Sequence, residues 1–192
     1  MPAWLRYSFT LFVAVLVPVY WREYGPANFL WFSDIALFAI LASLWTGHPL
    51  PVSMLAVGVL LLEVVWAADF LLLLLAGASP TGLSDYMRSP QIPLHVRALS
   101  LFHLALPPLL LWMTRRLGYD RRAWAAQSAL ALVVVPVSYL VSPPDRNINW
   151  AYGPVGPQDW MPPLAWLVVL LAFLTLLLYP LTHRVLIWWT GR

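Results

Sequence analysis

The chain has 192 residues, of which 61% are hydrophobic and 10% charged, with 12 Trp and no Cys. A soluble domain carries about 25% charged residues, so the composition is that of an integral membrane protein, and the missing cysteines exclude a disulfide framework, a thiolate metal site and a cysteine nucleophile. The formal net charge of +3 comes from 11 basic residues, all arginine, against 8 acidic ones, and their scatter along the chain speaks for membrane topology and against nucleic-acid binding.

Six hydrophobic spans are predicted in chain order, at about residues 4–21, 27–45, 52–75, 94–114, 123–141 and 164–186. Each is close to the roughly 20 residues that cross the hydrocarbon of a bilayer as a helix. In the first, Arg6 precedes an apolar run that lacks a small-residue cleavage site, which predicts a retained helix and not a signal peptide. The second carries Asn28, Ser33 and Asp34, and the third Glu63 and Asp69. A polar stretch rich in Gly, Pro and Ser, GASPTGLSDYMRSPQIP, separates it from the fourth. That fourth span, LHVRALSLFHLALPPLLLW, holds His95, Arg97, Ser100 and His103 in its first half, followed by Pro107-Pro108, where a kink is expected. The arginine cluster RRLGYDRR leads to the fifth span, interrupted by Pro136, and the loop SPPDRNINWAYGPVGPQDWMPP leads to the sixth. No internal repeat or second domain is visible, so residues 1–192 form one integral membrane domain. The predicted fold is an all-α polytopic bundle of about six transmembrane helices.

Arginine sets the orientation. With a cytoplasmic N-terminus, that side holds Arg6, Arg115, Arg116, Arg121, Arg122, Arg184 and Arg192, and the other side Arg22, Arg88 and Arg146. The bias puts both termini in the cytoplasm. Arginine without lysine, with abundant Leu, Trp and Pro, fits a GC-rich bacterial genome, and hence the inner (cytoplasmic) membrane as a multi-pass protein. The tryptophans fall near span ends, as an aromatic belt does, and do not form a cofactor box; no cofactor is expected.

The ionisable residues within the spans carry the functional expectation, since each costs several kcal/mol at membrane depth, about 2 to 3 by insertion scales. Asp34, Asp69, His95, Arg97, His103, Asn147, Asn149 and Trp150 all fall toward the outer leaflet, whereas Glu63 stands apart near mid-membrane. Structural readings accompany the functional ones. Asp34 pairs with Arg97 as a buried structural charge, or it serves a ligand or a reaction; Asp69 has the same two readings. His103 is a packing residue or a base, His95 is solvated near the interface, and Ser33 bonds a carbonyl of its own helix or is a nucleophile. Asn147 and Asn149 form turns after Pro143-Pro144 or supply anchors. For metal, no Glu-x-x-His or His-x-x-His pair occurs, and His95 and His103 stand about 12 Å apart along a helix at 1.5 Å per residue, so no metal site is expected.

The runs NFLWFSDIALF, RALSLFH and RNINWAYG, with Asp69 between the first two, resemble in order the landmarks of the YwaF-like family of bacterial integral membrane proteins. That family is similar in turn to a eukaryotic transmembrane acyltransferase that moves acyl chains between phospholipids. The resemblance, over about residues 28–153, implies that Ser33-Asp34 occupies the family's Cys-Asp place, His103 its histidine and Asn147 to Trp150 its asparagine motif. It implies Ser33, Asp34 and His103 as catalytic residues. Asp69, His95, Arg97, Asn147, Asn149 and Trp150 are the expected substrate-binding residues, with Arg97 or Asn149 stabilising an oxyanion or gripping a head group. Serine in place of cysteine needs an adjacent base, here His103 oriented by Asp34 or Asp69, or else marks a lipid-binding fold that has lost the chemistry. The expected function is the handling of a lipid-like amphiphile in a polar outer-leaflet pocket, by acyl transfer or hydrolysis. The alternative is a non-catalytic membrane subunit or carrier with structural buried charges. The expected partners are membrane lipids and, on the lipid-facing helices, copies of the chain or other membrane subunits.

Overall fold

The computed structural model describes residues 1–191; Arg192, counted above for orientation, lies outside the described residues. The chain is an all-α membrane bundle of six helices: α1 (Ala3–Tyr24), α2 (Phe32–Thr46), α3 (Pro49–Ala76), α4 (Leu94–Leu117), α5 (Ala123–Val141) and α6 (Pro163–Thr190). All but α2 are long and apolar enough to cross a membrane. The outward faces are apolar: Leu75 is 85% exposed, Leu140 77% and Trp188 80%, as suits a bundle whose surroundings are hydrocarbon.

The longest uninterrupted α-helix, α3 with 28 residues, is the axis of the bundle, and α2, α4, α5 and α6 pack around it. Small residues allow the close approach on which helix packing in lipid depends. At Gly58 of α3, an added Cβ would stand 2.4 Å from Gln127 Nε2 of α5, so the glutamine side chain lies directly on the glycine backbone. After α2, Gly47 adopts the left-handed conformation (φ 74). The chain then turns through His48 into Pro49, a residue suited to the first helical turn.

Cross-links between elements define the two ends. At the end holding the N-terminus, Trp45 Nε1 donates to Thr10 Oγ1 at 3.0 Å, the Asp120 N–H to Ser53 Oγ at 3.1 Å, and Tyr119 Oη meets His183 Nδ1 at 2.5 Å. At the far end, two loops fold over the bundle. Asp69 holds the first, accepting from Ser79 Oγ (2.6 Å), the Thr81 N–H (2.8 Å), the Ser84 N–H (3.1 Å) and Ser84 Oγ (2.6 Å). Arg88 reaches back to the carbonyls of Leu73 and Gly77 and so caps α3. The second loop holds three non-glycine residues at positive φ: Asn147 (42°), Asn149 (53°) and Trp150 (58°). Asn147 closes it by donating to the Gly153 carbonyl and accepting from the Tyr152 N–H, both at 2.8 Å.

Two expectations change. The second helix begins at Phe32 and not near residue 27, because the Gly25-Pro26 corner starts a tight 3-10 segment, Pro26–Leu30. Its 15 residues make about 22 Å at 1.5 Å per residue, short of the hydrocarbon thickness. In α4 the interruption falls at Leu101, between Leu94–Ser100 and Phe102–Leu117, and the helix continues through Pro107-Pro108. Those prolines leave the carbonyls of His103 and Leu104 without intrahelical donors, and the helix tightens one turn earlier, where Leu104 N–H bonds the Leu101 carbonyl at 3.0 Å.

Candidate functional site

At the first turn of α2 lies a cavity of about 540 Å³, walled also by residues of α1, α3 and α4. Ser33, Asp34, His103, Asn149 and Trp150 of the expected set line it, together with Glu63, Asn28, Asp145, Arg146 and a group of aromatic rings.

Glu63 and His103 meet across the α3–α4 packing face, with Glu63 Oε2 2.7 Å from His103 Nδ1. The imidazole stacks with Trp66 at a centroid distance of 4.6 Å and with Phe102 at 4.1 Å, which fixes its plane. A carboxylate on Nδ1 selects the tautomer that protonates Nδ1. Nε2, which has no protein partner among the described residues, is then a lone-pair acceptor at the cavity. Glu63, set apart in the sequence by its depth, is therefore the partner of His103, in place of the expected Asp34 or Asp69. Its spacing held a signal: Glu63, Trp66 and Phe70 share one face of α3 at i, i+3 and i+7.

Asp34 lies in the first turn of α2 and is 3% exposed. Its Oδ2 accepts from Asn28 Nδ2 at 3.0 Å, and its Oδ1 is buried without a partner. The Asp34–Arg97 pair expected of a structural charge does not form. The arginine–carboxylate pairs among the described residues are Arg22–Glu23 and Arg122–Asp120. Arg97 donates to the Met87 carbonyl at 2.9 Å, away from the cavity. The hydroxyl of Ser33 bonds neither its own helix nor His103, and the N–H groups of Ser33 and Asp34 lie in the first turn of α2, where a helix leaves its N–H groups without intrahelical acceptors. α2 has Trp31 in the capping position, which supplies no side-chain cap. Asn149 takes that role from the second loop: Oδ1 accepts from the Phe32 N–H at 3.1 Å, while Nδ2 donates to the Leu30 carbonyl at 2.7 Å and Ser138 Oγ at 3.2 Å. Its amide is fully engaged, so it holds the site's backbone and has no donor free for an oxyanion. Arg97 is excluded from that task by its place.

Three more expected residues lie elsewhere. Asp69 is spent on the first loop, His95 is exposed in a groove against Pro18, Val19, Arg22 and Glu23 of α1, and Asn147 closes the second loop. Both loops nevertheless build the site, since they carry Leu83 and Tyr86, and Asp145, Arg146 and Trp150, into the cavity wall. Burial raises the Tyr86 phenol above its ordinary value, so it lines the wall as a neutral hydroxyl. Arg146, counted in the sequence only for topology, sits with its guanidinium 5.7 Å from the Tyr24 ring centroid. Among the described residues no three His, Asp or Glu side chains gather as a metal-binding group.

No family model matches the chain, and neither a curated protein nor a solved structure is significantly similar to it.

Proposed function

We propose that this protein, set in the inner (cytoplasmic) membrane with its cavity toward the outer leaflet, receives a lipid-like amphiphile there and catalyses acyl transfer or hydrolysis, with His103 as general base. The observation that carries the reading is the Glu63–His103 contact of 2.7 Å at a cavity wall. A histidine oriented by a carboxylate, with its second nitrogen free, is the arrangement that base catalysis requires. The cavity also favours a ligand over purely structural charge, because Asp34 lacks the arginine partner that such a role demands.

In this scheme the Ser33 hydroxyl attacks the ester carbonyl of the amphiphile and its proton passes to His103 Nε2. The acyl–oxygen bond breaks, and the leaving alcohol takes that proton. Water or a second alcohol then removes the acyl group from Ser33 by the same route reversed. The first-turn N–H groups of Ser33 and Asp34 are the oxyanion donors, replacing Arg97 and Asn149 in that role. A second reading, binding without turnover, draws support from the missing Ser33–His103 hydrogen bond.

Native mass spectrometry of the purified protein after incubation with phospholipid separates them. A co-purifying lipid together with a mass gain of one acyl chain, lost in Ser33→Ala, supports covalent transfer. Lipid without adduct supports the carrier. Absence of both, with His103→Ala merely less stable, overturns the reading.

A further inference from the structure

The proposed chemistry employs Glu63 and His103 and leaves the Asp34 carboxylate unused. It is 3% exposed, lines the cavity, has Oδ1 without a partner, and is held on Oδ2 by a neutral amide alone. Burial disfavours the ionised form of a carboxyl group unless a cation stands beside it, and among the described residues none lies within ion-pair distance.

The rest of the wall is suited to such a cation. Trp31 and Trp150 cross at 6.0 Å and 83°, Tyr20 and Tyr24 at 5.3 Å and 78°, and Trp66 and Tyr86 lie 6.3 Å apart; all six line the same cavity. Aromatic faces attract cations within about 6 Å, and rings gathered round one space are the common means of holding alkylated ammonium groups. Arg146 already stands over Tyr24 in this way. The composition agrees: three carboxyl groups, Asp34, Glu63 and Asp145, line the cavity against the one guanidinium of Arg146.

We propose that the Asp34 carboxyl group and the aromatic wall form a binding site for an alkylammonium group. The proposal rests on the reading of the cavity as a ligand site and adds the charge and shape of what enters. The group arrives either as the head of a lipid or as a free solute, and in both cases the carboxylate neutralises it while the rings enclose its methyl or methylene surface.

Two experiments on the detergent-purified full chain test this. In the first, thermal unfolding and tryptophan fluorescence are followed during titration with choline and with its uncharged isostere 3,3-dimethyl-1-butanol. In the second, native mass spectrometry compares retention of phosphatidylcholine and phosphatidylglycerol. Choline binding at least tenfold tighter than the isostere, or preferential retention of phosphatidylcholine, is the expected result, with at least a tenfold loss in folded Asp34→Asn. Choline displacing retained phosphatidylcholine identifies a lipid head group as the source, whereas choline binding without lipid retention identifies a free solute and sinks the amphiphile reading alone. Equal retention of both lipids with no choline preference overturns the ammonium site and leaves the amphiphile reading standing. Unchanged affinity in Asp34→Asn also overturns it. The comparison of choline with its isostere uses the wild-type chain and holds even if the variant fails to fold.

Discussion

At the scale of single residues, the roles separate by what each polar group touches. His103→Ala removes a candidate base and is expected to lower turnover of a phospholipid substrate by about 10² to 10⁴. Glu63→Gln keeps the shape but not the charge that stabilises a protonated imidazole, so a smaller loss is expected, together with a displaced pH–rate profile. An unaltered profile in Glu63→Gln would sink the dyad. Asp69→Asn is the opposite case. Four donors converge on that carboxylate, and replacing one acceptor oxygen by an NH₂ leaves donors facing a donor. A loss of about 1–3 kcal/mol is expected, seen as faster hydrogen exchange and proteolysis in residues 77–93, and catalysis falls only as far as that loop loosens. In the α4–α5 loop, hydrogen bonds from Arg122 hold the Asp120 carboxyl below its ordinary value. A carboxylate depressed in the folded state adds stability above its unfolded pKa and loses it as the pH falls through the folded one. Asp120→Asn is therefore expected to narrow the stability gap between neutral and strongly acidic solution, measured by thermal unfolding against pH.

At the scale of elements, two local devices fix the site. The Gly58–Gln127 contact sets the distance between α3 and α5, and Gly58→Leu is expected to separate them at about 1–3 kcal/mol, read as a lower Tm in detergent. The strained second loop gives a sharper comparison. Trp150 at φ 58° is costly for any side chain and most of all for a β-branched one. Trp150→Val is thus expected to destabilise more than Trp150→Gly, although it retains more side chain; the reverse order of Tm would show that packing, and not backbone strain, dominates there. These devices also mark what the sequence could carry. The spans were legible because about 20 apolar residues have few other uses, and His103 because an imidazole within such a run has to be explained. The pairing of Glu63 was missed because each span was read by itself: it lies 13 residues from the end of α3 and His103 9 residues from the start of α4, roughly 6 Å apart in rise, a gap that long side chains close. Asp69 and Arg97 pointed the other way. Both are charged residues near span ends, and only the folded loops reveal that Asp69 is met by backbone and serine donors and that Arg97 donates to the Met87 carbonyl. The late start of α2 depends on an amide from Asn149, distant in sequence, and no local pattern announces it.

At the scale of the whole molecule, the arginine bias predicts that the bundle end bearing the cavity faces away from the cytoplasm. Since the chain has no cysteine, single substitutions report topology without background. Ser89→Cys in the far-end loop is expected to react with a membrane-impermeant maleimide in intact cells, and Arg121→Cys only after lysis. Labelling in the reverse order would invert the orientation and move the cavity to the cytoplasmic leaflet.

The shortness of α2 has a consequence for the host membrane. A helix of about 22 Å beside neighbours long enough to span obliges the surrounding lipid to dip on that flank or the helix to be shielded by α1 and α3. In bilayers of short acyl chains the head-group plane drops toward the first turn of α2 and brings water and polar heads to the cavity; in thick bilayers that turn is stranded in hydrocarbon. Occupancy of the cavity by the proposed amphiphile is therefore expected to vary with acyl-chain length at constant head group.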